Sequence, residues 1–286
     1  MKGFNYFAPS SMDECLKLLD SMKGRARILA GGTDLMVRLK HDMVREDNII
    51  DITRLDGMQG IIRERGYVHI APLATHSEVL DSYICDKLPV LKAACALVGS
   101  PQIRNRGTIG GNVMNASPAG DTIPALFVHG AALKLKSADG ERLVPIGDFY
   151  TGPGKTVMKS NEMLVDISVP EAGGGEKGFF KKLGQRNALA ISIVNVAVLL
   201  KVNQPGRVIE KASVALGAAG PTVIRCTQAE ELMTGSALDG PDMLKEIARS
   251  IRESASPISD VRASAGYRAE MSASLFCEGM YELGVI

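Results

Sequence analysis

Glycines, amides and hydroxyls crowd the run Arg106-Gly107-Thr108-Ile109-Gly110-Gly111-Asn112-Val113-Met114-Asn115-Ala116-Ser117-Pro118-Ala119-Gly120-Asp121, and no hydrophobic periodicity accounts for them. Small residues let main-chain N–H groups approach phosphate oxygens, Thr108 and Ser117 add hydroxyl donors, and Asp121 can accept from a ribose or a ring N–H. The stretch reads as a backbone cradle for an anionic cofactor. A second cradle lies upstream, at Ala30-Gly31-Gly32-Thr33-Asp34. Two such loops in one chain suit a dinucleotide, whose pyrophosphate can be gripped from two sides. Taken alone, the upstream loop reads equally well as a strand-to-helix turn that needs glycine for positive φ. The later run reads as functional, because surface loops do not usually alternate Gly, Asn, Thr and Ser with apolar residues over such a length.

The elements around the first loop form a βαβ pattern. Ser11-Met12-Asp13-Glu14 is a capping box opening a helix whose Met12, Cys15, Leu16, Leu19 and Met22 share one face, with Gly24 as its stop. Ile28-Leu29-Ala30 reads as a buried strand, Gly31-Gly32 as a turn, and Thr33 or Asp34 as the N-cap of a helix through Leu35, Met36 and Leu39. Asn48-Ile49-Ile50-Asp51-Ile52 supplies the next strand. The loop therefore falls between a strand's carboxyl end and a helix start, where free N–H groups and the helix dipole favour a phosphate.

A second unit runs from near Gly57 to Pro170, with strands at residues 67–71 and 163–169. Its hairpin joins Leu133-Lys134-Leu135-Lys136 to Arg142-Leu143-Val144 through Asp139-Gly140. A helix carrying Val90, Leu91, Ala94, Leu97 and Val98 leads into the glycine-rich run, which is itself read as a loop. Gly173-Gly174-Gly175 reads as a linker. A third unit follows, with strands near residues 191–202 and 208–216 and helices near 242–254 and 261–283.

Composition bounds the function. The chain's 286 residues fit two domains, or three small ones, and 45% apolar with 23% charged residues is ordinary for a soluble globular protein. With 33 basic and 32 acidic side chains the net charge is +1, and no basic stripe marks a nucleic-acid binder. No stretch approaches the roughly 20 apolar residues of a membrane span, and the N-terminus lacks a signal-peptide core, so the expected location is cytoplasmic. Cys15, Cys85, Cys95, Cys226 and Cys277 are scattered without a Cys-x-x-Cys pair, and His41, His69, His76 and His129 lack ligand spacing, so no metal site is expected. Gly152-Pro153-Gly154-Lys155-Thr156 resembles the end of a P-loop, but Phe149 stands where Walker A needs glycine. No Gly-x-Gly-x-x-Gly follows a strand, and no Gly-x-Ser-x-Gly elbow occurs.

The spaced pair Ala30-Gly31-Gly32-Thr33-Asp34 and Thr108-Ile109-Gly110-Gly111-Asn112, with Ala116-Ser117-Pro118 and Asp121 beyond, resembles the FAD-binding medium subunit of molybdenum hydroxylases. That is the family of xanthine dehydrogenase, aldehyde oxidoreductases and aerobic carbon monoxide dehydrogenase. Gly99-Ser100-Pro101-Gln102-Ile103-Arg104-Asn105, Thr151-Gly152-Pro153-Gly154-Lys155 and Ala218-Ala219-Gly220-Pro221-Thr222 extend the match over essentially the whole chain. The resemblance implies an α+β fold of the vanillyl-alcohol-oxidase type, with FAD-binding subdomains at 1–57 and 58–170 and a C-terminal domain at 171–286. FAD would lie between the subdomains, with both glycine loops at its pyrophosphate and Asp121, Leu164 and Lys181 touching the flavin or its chain.

The resemblance further implies a small subunit with iron–sulfur clusters that delivers electrons, and a large subunit whose molybdopterin cofactor hydroxylates the substrate. The FAD would pass electrons to NAD+ or another acceptor, and no side chain here need act as acid, base or nucleophile. The stretches 99–105 and 151–155 lean toward a bacterial xanthine dehydrogenase. Val98 stands where animal relatives have an aromatic residue beside the flavin ring, and the cysteine-bearing insertion of some relatives is missing. The competing readings are a stand-alone flavin oxidase, which would need a substrate pocket of its own, and a non-catalytic assembly subunit, against which both intact glycine loops argue.

Overall fold

The computed structural model describes residues 3–203, 208–237 and 241–284. The first unit comprises β1 (Asn5–Phe7), α1 (Met12–Met22), β2 (Arg27–Leu29), α2 (Leu35–Lys40) and β3 (Asn48–Asp51), with β3 between β1 and β2 in a parallel sheet. Ser11 caps α1 as expected, accepting from the Glu14 N–H at 3.2 Å. The return half of the capping box is displaced by one residue: the Glu14 carboxylate takes the N–H and hydroxyl of Ser10. Cys15, Leu16 and Leu19 bury the helix's apolar face against Ile50, Ile52, Leu55 and Met163.

The second unit holds β4 (Ile61–Glu64), β5 (Tyr67–Ile70), α3 (His76–Asp81), α4 (Pro89–Ala96), α5 (Pro101–Arg104), α6 (Ile109–Asn115) and α7 (Thr122–His129). After these come β6 (Ala132–Ser137), β7 (Gly140–Pro145), β8 (Tyr150–Gly152), β9 (Lys155–Thr156) and β10 (Met163–Pro170). Its main sheet runs β4-β5-β10-β6-β7, antiparallel throughout. The β6–β7 hairpin pairs Ser137 with Gly140, so its two-residue turn is Ala138-Asp139, one residue earlier than expected.

The glycine-rich run is not a loop. Thr108 caps a short helix, α6, through the Gly111 N–H, and Ala116 closes it at φ 49°. Glycine is tolerated inside because neighbours crowd it: a Cβ on Gly110 would lie 2.6 Å from Pro72 O, and one on Gly111 2.8 Å from Thr108 Oγ1. Every residue of α7 is buried, so this helix carries no amphipathic period by which to read it.

The third unit, β11 (Glu176–Leu183), β12 (Val194–Val202), β13 (Ile209–Gly217), β14 (Ile224–Arg225), α8 (Thr227–Met233), α9 (Pro241–Ser254) and α10 (Ala265–Glu282), is a four-stranded antiparallel sheet in sequence order with helices on one side. Alternate residues face two different cores. Phe180, Ala197, Leu199 and Ala215 join the core of the second unit, while Phe179, Val196, Val198, Val214 and Leu216 pack on α8, α9 and α10. Burial on both faces is why β12 is a continuous apolar run. The last helix begins at Ala265 rather than Val261, because Asp260 and Ala263 bridge in a turn and Ser264 supplies the N-cap. Among the described residues no helix is long and apolar enough to cross a membrane.

Candidate functional site

The two glycine loops meet. A cleft of about 470 Å³ opens between the first and second units, lined by residues 30–34 on one side and by Gly107, Thr108, Gly110, Gly111 and Asn112 on the other. That volume lies inside the usual range of roughly 300–1,000 Å³ for small-molecule sites. Gly31 is the contact point: a Cβ there would stand 1.8 Å from Arg106 O and 2.8 Å from its carbonyl carbon. Gly32 turns the chain at φ 76°, a conformation that favours glycine.

The donors come mainly from the first loop. The N–H groups of Gly31, Gly32, Thr33 and Asp34 have no partner among the described residues. In the second loop the glycine N–H groups are already occupied, Gly110 by Pro72 O at 3.0 Å and Gly111 by Thr108 Oγ1 at 3.0 Å. Gly110 and Gly111 therefore serve close packing rather than ligand binding through their N–H groups. The side-chain amide of Asn112 uses only its oxygen, accepting from Thr122 Oγ1 at 2.8 Å, so its NH₂ is available to the cleft, as is the amide of Asn115. The Asp34 carboxylate sits at the exposed rim, 3.6 Å from the Arg38 guanidinium.

Apolar walls complete the cleft. Ile28 and Val44 line it from the first unit, and Val98, Met114 and Leu164 from the second. The strip Met158-Lys159-Ser160 also lines it, a contribution that no local motif announces. A fork holds this strip in place: Arg142 grips both oxygens of Glu162 at 2.7 and 2.9 Å, and Glu162 accepts the Lys159 N–H at 2.7 Å. Hydrogen bonds from Arg142 hold the Glu162 carboxyl below the usual carboxylate range. Burial pushes His76, on the cleft floor, down to about 4, so its imidazole is neutral at neutral pH. Burial likewise raises the Cys15 and Cys85 thiols to about 11, which leaves them unreactive at neutral pH.

Three expected site residues stand away from the cleft lining. Ser117 Oγ accepts the Ala119 N–H at 3.3 Å. Lys181 points outward to Glu278, at 2.8 Å, and to Glu282. Asp121 is buried in a network with Lys182 at 2.5 Å, Ser192 at 2.5 Å and Asn195 at 3.1 Å. Strand alternation decides between the two lysines: on β11 the neighbours face opposite ways, and Lys182 is the one turned toward the second unit.

Thr108 links the local fold to the site. Thr108→Ala removes the cap of α6 and is expected to cost about 1 kcal/mol, measurable by urea denaturation.

The donor set fits a cofactor with a pyrophosphate between apolar groups: a run of free N–H groups, two amides and apolar walls, with all three cleft carboxylates, Asp34, Glu46 and Glu162, already facing arginines. Comparison with known proteins bears on the same point. The family model described as the FAD binding domain in molybdopterin dehydrogenase matches residues 2–172, and that of the CO dehydrogenase flavoprotein C-terminal domain matches residues 179–283. The chain is 34% identical over 243 residues to the nicotinate dehydrogenase FAD-subunit of Eubacterium barkeri, covering 83% of this chain and 82% of that one. It is 32% identical over 270 residues to the xanthine dehydrogenase FAD-binding subunit of Escherichia coli O157:H7, covering 93% and 91%. A chain of the solved carbon monoxide dehydrogenase from Hydrogenophaga pseudoflava superposes with a TM-score of 0.94 at 28% identity, covering 99% of this chain and 98% of that one.

Proposed function

Given that this chain belongs to the family of FAD-binding subunits of molybdopterin dehydrogenases, we propose that it takes electrons from the iron–sulfur clusters of a small partner subunit. It passes them to NAD+ or another acceptor, while a large partner subunit holds the molybdopterin cofactor and hydroxylates the substrate. The chain is an FAD-bearing oxidoreductase subunit of α+β fold, with an FAD-binding part followed by a C-terminal domain. We divide it into subdomains at 1–57 and 58–170 and a C-terminal domain at 171–286, and assign the assembly to the cytoplasm.

The observation that carries this reading is the approach of Gly31 to the Arg106 carbonyl, which brings four free N–H groups of one loop against the Thr108 helix start of the other. We assign Ala30, Gly31, Gly32, Thr33 and Asp34 to one side of the pyrophosphate, with their N–H groups as donors. Thr108, Gly110, Gly111 and Asn112 take the other side, Asn112 donating through its amide and Gly110 and Gly111 keeping the backbone close. Leu164 and Val98 flank the flavin and exclude water. Asp121 and Lys181, which the resemblance put at the flavin, and Ser117, read from sequence as a hydroxyl donor to the cofactor, stand outside the lining.

Bound FAD supplies the redox chemistry; the chain binds it, orients it and sets its surroundings. No side chain of the cleft is placed for acid–base work: Asp34, Glu46 and Glu162 are each paired with an arginine, and His76 is neutral and buried.

The test is the visible absorption spectrum of the purified chain, with identification of what denaturation releases. Flavin bands and released FAD are the expected result. A chain that stays colourless after incubation with FAD overturns the reading.

A further inference from the structure

The carbonyl of Val98, which lines the cleft, and those of its two chain neighbours are each held by a different donor. Leu97 O accepts from Lys182 Nζ at 3.0 Å, Val98 O from the Arg104 guanidinium at 3.0 Å, and Gly99 O from the Leu189 N–H at 3.1 Å. Arg104 belongs to the second unit, but Lys182 and Leu189 come from the end of β11 and the loop that follows it. The wall is thus shaped in part by the third unit.

One buried carboxylate organises this arrangement. The Lys182 and Asp121 side chains are 8% and 9% exposed and stand 2.5 Å apart. The other oxygen of Asp121 accepts from Ser192 and Asn195. Lys182 and Ser192 flank the loop between β11 and β12, so Asp121, at the start of α7, ties down both ends of that loop while its middle rests on Gly99. A buried ion pair is a poor device for stability alone, since an apolar pair of similar volume often serves as well. Here the ammonium serves a carboxylate and the Leu97 carbonyl together, which no apolar side chain can do.

Resting on the assignment of the cleft to FAD, we propose that Asp121 and Lys182 are a positioning pair that fixes the 97–99 wall and the 183–191 loop, so that FAD retention depends on the C-terminal domain. Lys181, one residue away, belongs to a separate surface cluster with Glu278 and Glu282 and has no part in it.

The test compares the full chain with D121N/K182M, K182R and K181M. The double substitution removes both charges together and so leaves no unpaired ion in the interior. Three quantities are read: far-UV circular dichroism, FAD affinity by titration of the apo-protein, and the rate of trypsin cleavage after Arg186, which is exposed within the loop. The double variant is expected to keep its fold, to bind FAD at least tenfold more weakly, and to be cut after Arg186 several-fold faster. K182R, which retains the charge, recovers most of both, and K181M behaves as wild type. A folded double variant with wild-type affinity and wild-type cleavage overturns the proposal. Should the double variant not fold, Ser192→Ala releases one loop end alone; unchanged cleavage and affinity there overturn it equally. A wild-type chain that takes up no FAD sinks the cofactor assignment itself, and the cleavage rates, which need no FAD, then judge the pair separately.

Discussion

Gly31→Ala abolishes FAD binding while leaving a folded chain. The added methyl would stand 1.8 Å from Arg106 O, 2.8 Å from Arg106 C and 3.3 Å from the Gly107 Cα, all backbone atoms of the opposing loop. No flexible side chain can swing aside, so the loops themselves must separate by an ångström or more. That separation undoes the one feature that brings the free N–H groups of residues 31–34 against the Thr108 helix start. The cause is steric rather than conformational, because Gly31, unlike Gly32, does not lie at positive φ. Since the contact sits at the junction of two units and outside the hydrophobic cores, the stability loss should stay near the overpacking range of about 1–3 kcal/mol. Apo Gly31→Ala should thus unfold cooperatively in urea yet remain colourless on incubation with FAD. Gly147→Ala is the control, a position where a Cβ meets nothing within 4 Å. Flavin uptake by Gly31→Ala at wild-type affinity would show that the two loops do not jointly form the site.

Much of this molecule is legible residue by residue, and where it is not, the reason is physical. The α1 face of Cys15, Leu16 and Leu19 is read from local periodicity, and Ser11 from local cap chemistry, because both depend on neighbours within a turn. The first glycine loop reads two ways from sequence, since the partner that makes Gly31 obligatory, Arg106, lies far along the chain. The composition of the 106–121 run points to its use, but its glycines point away from its conformation. Glycine and asparagine argue against helix by propensity, yet packing of Gly110 on Pro72 and the Thr108 cap override that preference. The helix α7 could not be read from periodicity because it is buried on every side. Asp121 and Lys181 show what strand placement adds to roles carried over one residue at a time. The carboxylate is committed to a buried network, and strand alternation turns Lys182, not Lys181, toward it. Neither fact can be seen until β11 is placed against the second unit.

The largest stability effect is expected at Arg268→Met. Arg268 is 2% exposed in α10, and its guanidinium donates to Ile193 O at 2.6 Å, Ala218 O at 3.4 Å and Asp260 Oδ1 at 2.6 Å. It thereby joins the start of β12, the segment after β13 and the turn before α10. Met roughly keeps the volume of the side-chain stem but strands two carbonyls and half-releases a carboxylate. With about 1–3 kcal/mol for each buried group left unsatisfied, and Asp260 still gripped by Arg262 at 2.6 Å, a loss of about 3 kcal/mol is expected in urea or guanidinium unfolding. The pH dependence supplies an independent check. Hydrogen bonds from Arg262, with a smaller contribution from Arg268, hold the Asp260 carboxyl well below the usual carboxylate range. A carboxyl depressed in the folded state contributes stability that is fully present above its unfolded value, about 3.9, and is lost as pH falls through the folded one. The gap between wild type and Arg268→Met should therefore be widest near neutrality and narrow below about pH 4. A gap independent of pH would assign the effect to the stranded carbonyls alone. Because Ala218 also donates to Pro118 O at 2.7 Å, just past α6, the variant should lose FAD somewhat more readily than wild type on dilution while retaining the cleft. A loss of stability below 1 kcal/mol would mean that the interior tolerates the freed carbonyls, and that the turn at 260–264, not the arginine, orders the approach to α10.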